Sequence, residues 1–154
     1  MALSVGEEAP RFVLPSGPGE HVDVGVSIGR DMVVLLFFPF AFSPVCTAEM
    51  CAIREDWSVW EAVGARVYGI SVDSPVVNDR FRREESLPFP LLSDYNRRVA
   101  REYDVLYDAY GLEGVAMRSV FVIGTDGRVA YSWATDDAGR EPDYEAVKAA
   151  MRSA

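Results

Sequence analysis

At 154 residues, 49% of them hydrophobic and 25% charged, the chain is long enough to bury a core as one globular domain, residues 1–154. Its net charge of −9 argues against a nucleic-acid partner, and no apolar run reaches the ~18 residues of a membrane-spanning helix. The N-terminus, Met1 to Glu8, has neither a basic n-region nor an apolar h-region and reads as that of a mature, cytoplasmic protein.

The first predicted element is a small hairpin extension. Residues 12–14 and 21–24 alternate, and the Pro- and Gly-rich stretch 15–19 separates them. His21 reads there as an exposed polar residue. Residues 32–38 are an uninterrupted apolar run, the mark of a buried central strand. Pro39 breaks it. Cys46, Met50, Ile53, Trp57 and Trp60 then recur near helical period, predicting one helix as far as Gly64, with the two tryptophans in the core.

Residues 66–72 predict the next strand. Asp73-Ser74-Pro75 marks a turn and helix start, and 76–85 a second helix. A short strand falls in 87–94, and a brief polar helix in 96–103. Residues 105–117 carry Tyr107, Tyr110, Gly111 and Gly114 and read as a loop with some strand character. Two strands, 119–123 and 129–133, are joined by the hairpin turn 124–127, and 142–151 close the chain as an amphipathic helix. Strand–helix–strand followed by two strands and a helix is the α/β order of the thioredoxin-like fold: a central mixed β-sheet flanked by helices, with an N-terminal β-hairpin extension.

The chemistry concentrates in 37–51, which holds both cysteines, Cys46 and Cys51. Ser43 suits a helix N-cap and Pro44 the first helical position. Cys46 therefore lies in a first helical turn, where unpaired N–H groups and the positive end of the macrodipole favour a thiolate over a thiol. Ser43 reads either as a cap alone or as a hydroxyl offered to a substrate oxygen. Two cysteines in a reducing compartment are a poor structural staple. With the single His21 they are too few for a zinc site of those residues alone.

The stretch Pro39-Phe40-Ala41-Phe42-Ser43-Pro44-Val45-Cys46 resembles the peroxiredoxin active-site pattern, Pro-x-x-x-[Thr/Ser]-x-x-Cys. Ala9-Pro10-Arg11-Phe12, Phe89-Pro90-Leu91-Leu92-Ser93-Asp94, Arg118-Ser119-Val120-Phe121-Val122-Ile123 and Asp126-Gly127 resemble further family segments, in family order. Within the family, Cys51 is similar to the resolving cysteine of the bacterioferritin-comigratory (peroxiredoxin Q) type, and the loop before Ser43 to that of the alkyl hydroperoxide reductase E type.

The resemblance implies a thiol peroxidase acting on hydrogen peroxide and organic hydroperoxides, with Cys46 as peroxidatic thiolate. Pro39 would shield it, Ser43 would bind the peroxide, Arg118 would lower the thiol pKa, and Glu49 would support the site. It implies a thioredoxin-like or glutaredoxin-like reductant, a homodimer through the active-site loops, and no metal or bound cofactor. Cys51 remains either resolving or a buried, inert thiol. Five residues along an intact helix separate two Cα atoms by about 7.5 Å and turn the side chains roughly 140° apart. That exceeds the ~7 Å reach of a disulfide, so the first turns must unwind before the cysteines join, and reduced protein should show them apart on one continuous helix.

Two other readings compete. A thiol–disulfide exchanger of this fold calls for Cys-x-x-Cys at the helix start, where this chain has Cys-x-x-x-x-Cys. A non-enzymatic binding or holdase module would use the fold only as a scaffold.

Overall fold

The computed structural model describes residues 2–154; Met1, the first residue of the N-terminal stretch discussed above, lies outside it. The chain opens with a hairpin, β1 (Val13–Gly17) paired antiparallel with β2 (Glu20–Asp23). Pro15 lies within β1 at an irregularity of register, so the reversal falls later than expected, at Pro18-Gly19, where Gly19 takes the positive φ of 74°.

Strand β3 (Val33–Phe37) follows, buried along its whole length. It leads through an irregular loop to helix α1 (Pro44–Glu55) and helix α2 (Trp57–Ala62). Then come β4 (Arg66–Ser71), helix α3 (Pro75–Glu84), β5 (Leu91–Ser93) and the short helix α4 (Arg98–Glu102). A second hairpin, β6 (Leu106–Ala109) with β7 (Leu112–Ala116), leads into β8 (Arg118–Ile123), β9 (Val129–Thr135) and the closing helix α5 (Tyr144–Ser153).

The five-stranded central sheet has the order β5-β4-β3-β8-β9. Strands β3, β4 and β5 run parallel, while β8 is antiparallel to β3 and β9 to β8. This is the mixed sheet of the thioredoxin-like order. β3 is central and covered on both faces, which explains its unbroken apolar run. Its side chains alternate between two cores. Leu35 and Phe37 face Tyr103, Phe121 and the N-terminal segment, whereas Val34, Leu36 and Phe38 face Met50, Ile53, Trp60, Phe81 and Met151.

Two expectations are corrected. The single helix predicted as far as Gly64 is two, parted at Asp56, whose φ of −114° and ψ of 19° leave the helical region. Asp56 pairs there with Lys148 of α5, a tertiary ion pair with no trace in helical periodicity. The segment 105–117, read as a loop with some strand character, is a true hairpin turning at Tyr110 (φ 59°) and Gly111 (φ 69°). A two-residue hairpin turn of type I′ needs positive φ at both central residues, and Tyr at the first disguises the signal. Among the described residues, no helix is long and apolar enough to cross a membrane.

Candidate active site

The sheet directions assemble the site. The C-terminal ends of parallel β3, β4 and β5 share one edge, and antiparallel β8 begins at that same edge, with Ser119 opposite Phe37. The loop leaving β3, the turn leaving β4 and the first residue of β8, Arg118, therefore converge.

Cys46 sits in the first turn of α1 and is only 1% exposed. The Arg118 guanidinium, also 1% exposed, donates from Nη2 to the Cys46 sulfur at 3.2 Å and to the Ala138 carbonyl at 2.8 Å. Its Nη1 donates to Glu49 Oε1 at 2.6 Å. Arg118 thus spans sulfur, carboxylate and the loop after β9 through the fixed fork of its planar guanidinium. Burial works against its charge, but the facing Glu49 and Cys46 outweigh it and hold the guanidinium more firmly protonated than usual.

Glu49 is fully buried one turn along α1, with Oε2 unpartnered. Burial drives its pKa up to about 7, against the opposing pull of Arg118.

Ser43 occupies the N-cap position, yet its side chain makes no capping bond. Its hydroxyl donates instead to the Phe40 carbonyl at 2.9 Å, closing the loop on itself and leaving lone pairs to accept a further hydrogen bond. Ser74 shows the contrast, accepting from Val77 N–H at 3.2 Å as an ordinary cap. Phe42 holds a positive φ of 68°, uncommon for a bulky residue. Pro39 is buried behind the loop. A cavity of about 230 Å³ opens onto Arg118 and the start of α1, walled by Phe40, Ser43, Pro44, Val45 and Tyr110. A larger one of about 370 Å³, between β1, β2 and α4, holds neither cysteine.

Cys51 lies further along α1, and both thiols are free on one continuous helix. Its sulfur donates to Glu85 Oε2 at 3.3 Å, whereas the sulfur that Arg118 bonds is that of Cys46. His21 is exposed on β2, outside this constellation.

Several contributors escaped sequence reasoning. Asp73, read only as part of a turn, accepts from the Ala41 N–H at 2.8 Å and from the Ser71 hydroxyl at 2.7 Å, pinning the loop to β4. Ala138 carries no side-chain signal because it acts through its carbonyl. Tyr110 packs edge-on against Phe40, ring centres 5.5 Å apart. Asp73-Ser74-Pro75 offered a legible sign, as a turn and helix start, and Tyr110 stood out only as one of the aromatic residues of 105–117.

Residues 5–132 match the model of the AhpC/TSA family. The chain belongs to that family. Peroxiredoxin Bcp of Bacillus subtilis is 32% identical over 136 residues, covering 86% of each chain. The crystal structure of the peroxidoxin BcpB from Mycobacterium tuberculosis superposes with a TM-score of 0.85 at 29% identity, over 98% of this chain and 97% of that one. The Xanthomonas campestris bacterioferritin comigratory protein, solved in a study of its alkyl peroxide reduction activity, gives a TM-score of 0.79 at 25% identity, over 97% and 98% of the two chains. The chain is a peroxiredoxin, an enzyme of the thiol peroxidase class.

Proposed function

We propose that Cys46 is the peroxidatic thiolate of a single-domain peroxidase that reduces hydrogen peroxide and organic hydroperoxides. The observation that carries this reading is the Arg118 fork, which bridges the Cys46 sulfur and the Glu49 carboxylate. The thiolate sulfur attacks the terminal oxygen of a hydroperoxide, an S–O bond forms, the O–O bond breaks, and the alkoxide or hydroxide leaves and takes up a proton. Cys46 becomes a sulfenic acid. Charge passes from sulfur to the departing oxygen, and the Arg118 guanidinium and the free N–H groups at the start of α1 are donors suited to follow it. Glu49 orients Arg118, Ser43 receives the peroxide, and Pro39 shields the sulfur. The apolar walls of Phe40 and Val45 suit the alkyl arm of an organic hydroperoxide.

Cys51 acts as the resolving thiol. Once the first turns of α1 unwind, its thiolate attacks the sulfur of the Cys46 sulfenic acid; the S–S bond forms, the S–O bond breaks, and the departing hydroxide takes up a proton as water. A thioredoxin-like or glutaredoxin-like dithiol returns the disulfide to two thiols, in keeping with a reducing, cytoplasmic setting. The apolar rim around Phe42 and Tyr110, 47% and 63% exposed, is the face through which two copies pair.

Stopped-flow tryptophan fluorescence tests the assignment, because Trp57 and Trp60 lie just beyond α1. Reduced protein mixed with hydrogen peroxide, an organic hydroperoxide or peroxynitrite is expected to show a rapid change. Cys46→Ser should abolish it, and Cys51→Ser should keep it while forming no intrachain disulfide. Rates no faster than those of free cysteine would reject the peroxidase site.

A further inference from the structure

The contact between Cys51 and Glu85 lies outside the peroxide site. Glu85 follows α3 as its C-cap, its N–H bonded to the Phe81 and Arg83 carbonyls, so its backbone is a fixed mount. Its carboxylate accepts the Cys51 S–H at 3.3 Å. Arg54 fastens the other side, donating to the Glu85 carbonyl at 2.5 Å and lying 3.7 Å from Oε2. The half of α1 that bears Cys51 is therefore tied to α3, while the half that bears Cys46 is held by Arg118.

We propose that Glu85 is a brake on the resolving step: its carboxylate keeps Cys51 as a parked thiol, so that the Cys46 sulfenic acid outlives the unwinding of α1. The inference rests on the reading of Cys51 as the resolving cysteine. Attack on a sulfenic acid requires a thiolate. A carboxylate that accepts the S–H favours the protonated form, and its charge repels the anion. The charged groups facing Cys51 are Glu85, Glu55 and Arg54. Burial raises the thiol pKa most, the hydrogen bond to Glu85 adds to it, and Arg54 opposes. While Cys51 stays parked, a second peroxide can transfer an oxygen to the sulfenic acid, giving a sulfinic acid and water from hydrogen peroxide or an alcohol from an organic hydroperoxide, or an outside thiol can capture Cys46.

The test is a single turnover with one equivalent of hydrogen peroxide, quenched by alkylation at successive times, for wild type and Glu85→Gln. Glutamine keeps the size and an acceptor while removing the charge. Disulfide formation near pH 7 is expected to accelerate about tenfold, the thiolate gained when one adjacent carboxylate charge is lost. Its pH profile should move to lower pH, and less sulfinic acid should accumulate under excess peroxide. In a Cys46→Ser background, Glu85→Gln should raise the alkylation rate of Cys51 by a similar factor. An unchanged alkylation rate would overturn the hold of Glu85 on the thiol. Faster alkylation with unchanged disulfide formation would overturn the brake. If wild type forms no intrachain disulfide while Glu85→Gln speeds alkylation, the resolving role falls and the brake with it, leaving only the grip on the thiol.

Discussion

Arg118, Glu49 and Cys46 form a buried triad in which one permanent cation faces two groups able to become anions. The titration of Glu49 should be visible in folding stability. Folding raises its pKa from 4.5 to about 7, so the folded chain binds a proton that the unfolded chain releases across that window. The stability this group contributes is full below the lower value and is lost as pH rises through about 7. Glu49→Gln removes the loss. Its melting temperature relative to wild type should therefore climb between about pH 5 and about pH 8, measured by calorimetry on reduced protein. A flat difference across that range would show that Glu49 stays ionised in the fold. Ser43 carries a lesson at the same scale. The N-cap preference located it correctly at the helix start, but its hydroxyl turns back to Phe40, because capping propensity reports a position and not the partner a side chain selects.

The loop from Pro39 to Ser43 is an element without regular structure, held in place from outside. Asp73 supplies the hold through the Ala41 N–H, and the Ser71 hydroxyl, shared with Asp73 and Asn78, braces it against β4 and α3. Asp73→Ala frees that N–H and lets Ser43 drift relative to Cys46. A displacement of about 1 Å is enough to cost up to ~100-fold in rate. We expect the fluorescence-detected reaction with hydrogen peroxide to slow between ~10-fold and ~100-fold, with the far-UV circular dichroism unchanged; a wild-type rate would remove Asp73 from the positioning of the loop. Helix α1 was legible from its apolar period, whereas its end at Asp56 was not, because the ion pair with Lys148 joins two elements far apart in the chain. The hairpin β6–β7 was half legible: Gly111 and Gly114 announced turns, but Tyr110 in the left-handed region resembles no standard turn residue.

Across the whole molecule, β3 and β8 form the spine on which both cores and the site depend. Phe121 is fully buried beside Phe37 and Tyr103, with ring centres 5.9 Å and 5.3 Å away. Phe121→Ala should cost roughly 3–5 kcal/mol of stability through lost burial and the cavity it leaves, read as a shift of the urea midpoint; a loss under ~1 kcal/mol would mean that this face of the sheet repacks. The linear chain by itself determined that a cysteine lies in the first turn of a helix behind a buried strand, that strands and helices alternate in the thioredoxin-like order, and that the second cysteine shares the helix of the first. These features rest on periodicity, capping and spacing, all local. Only the tertiary structure decided that Arg118, 72 residues from Cys46, grips its sulfur, that Ala138 and Asp73 complete the site, and that Cys51 answers to Glu85. The reason is geometric: which residues meet depends on strand order and direction, and it is the antiparallel passage of β8 beside β3 that carries the arginine to the thiol.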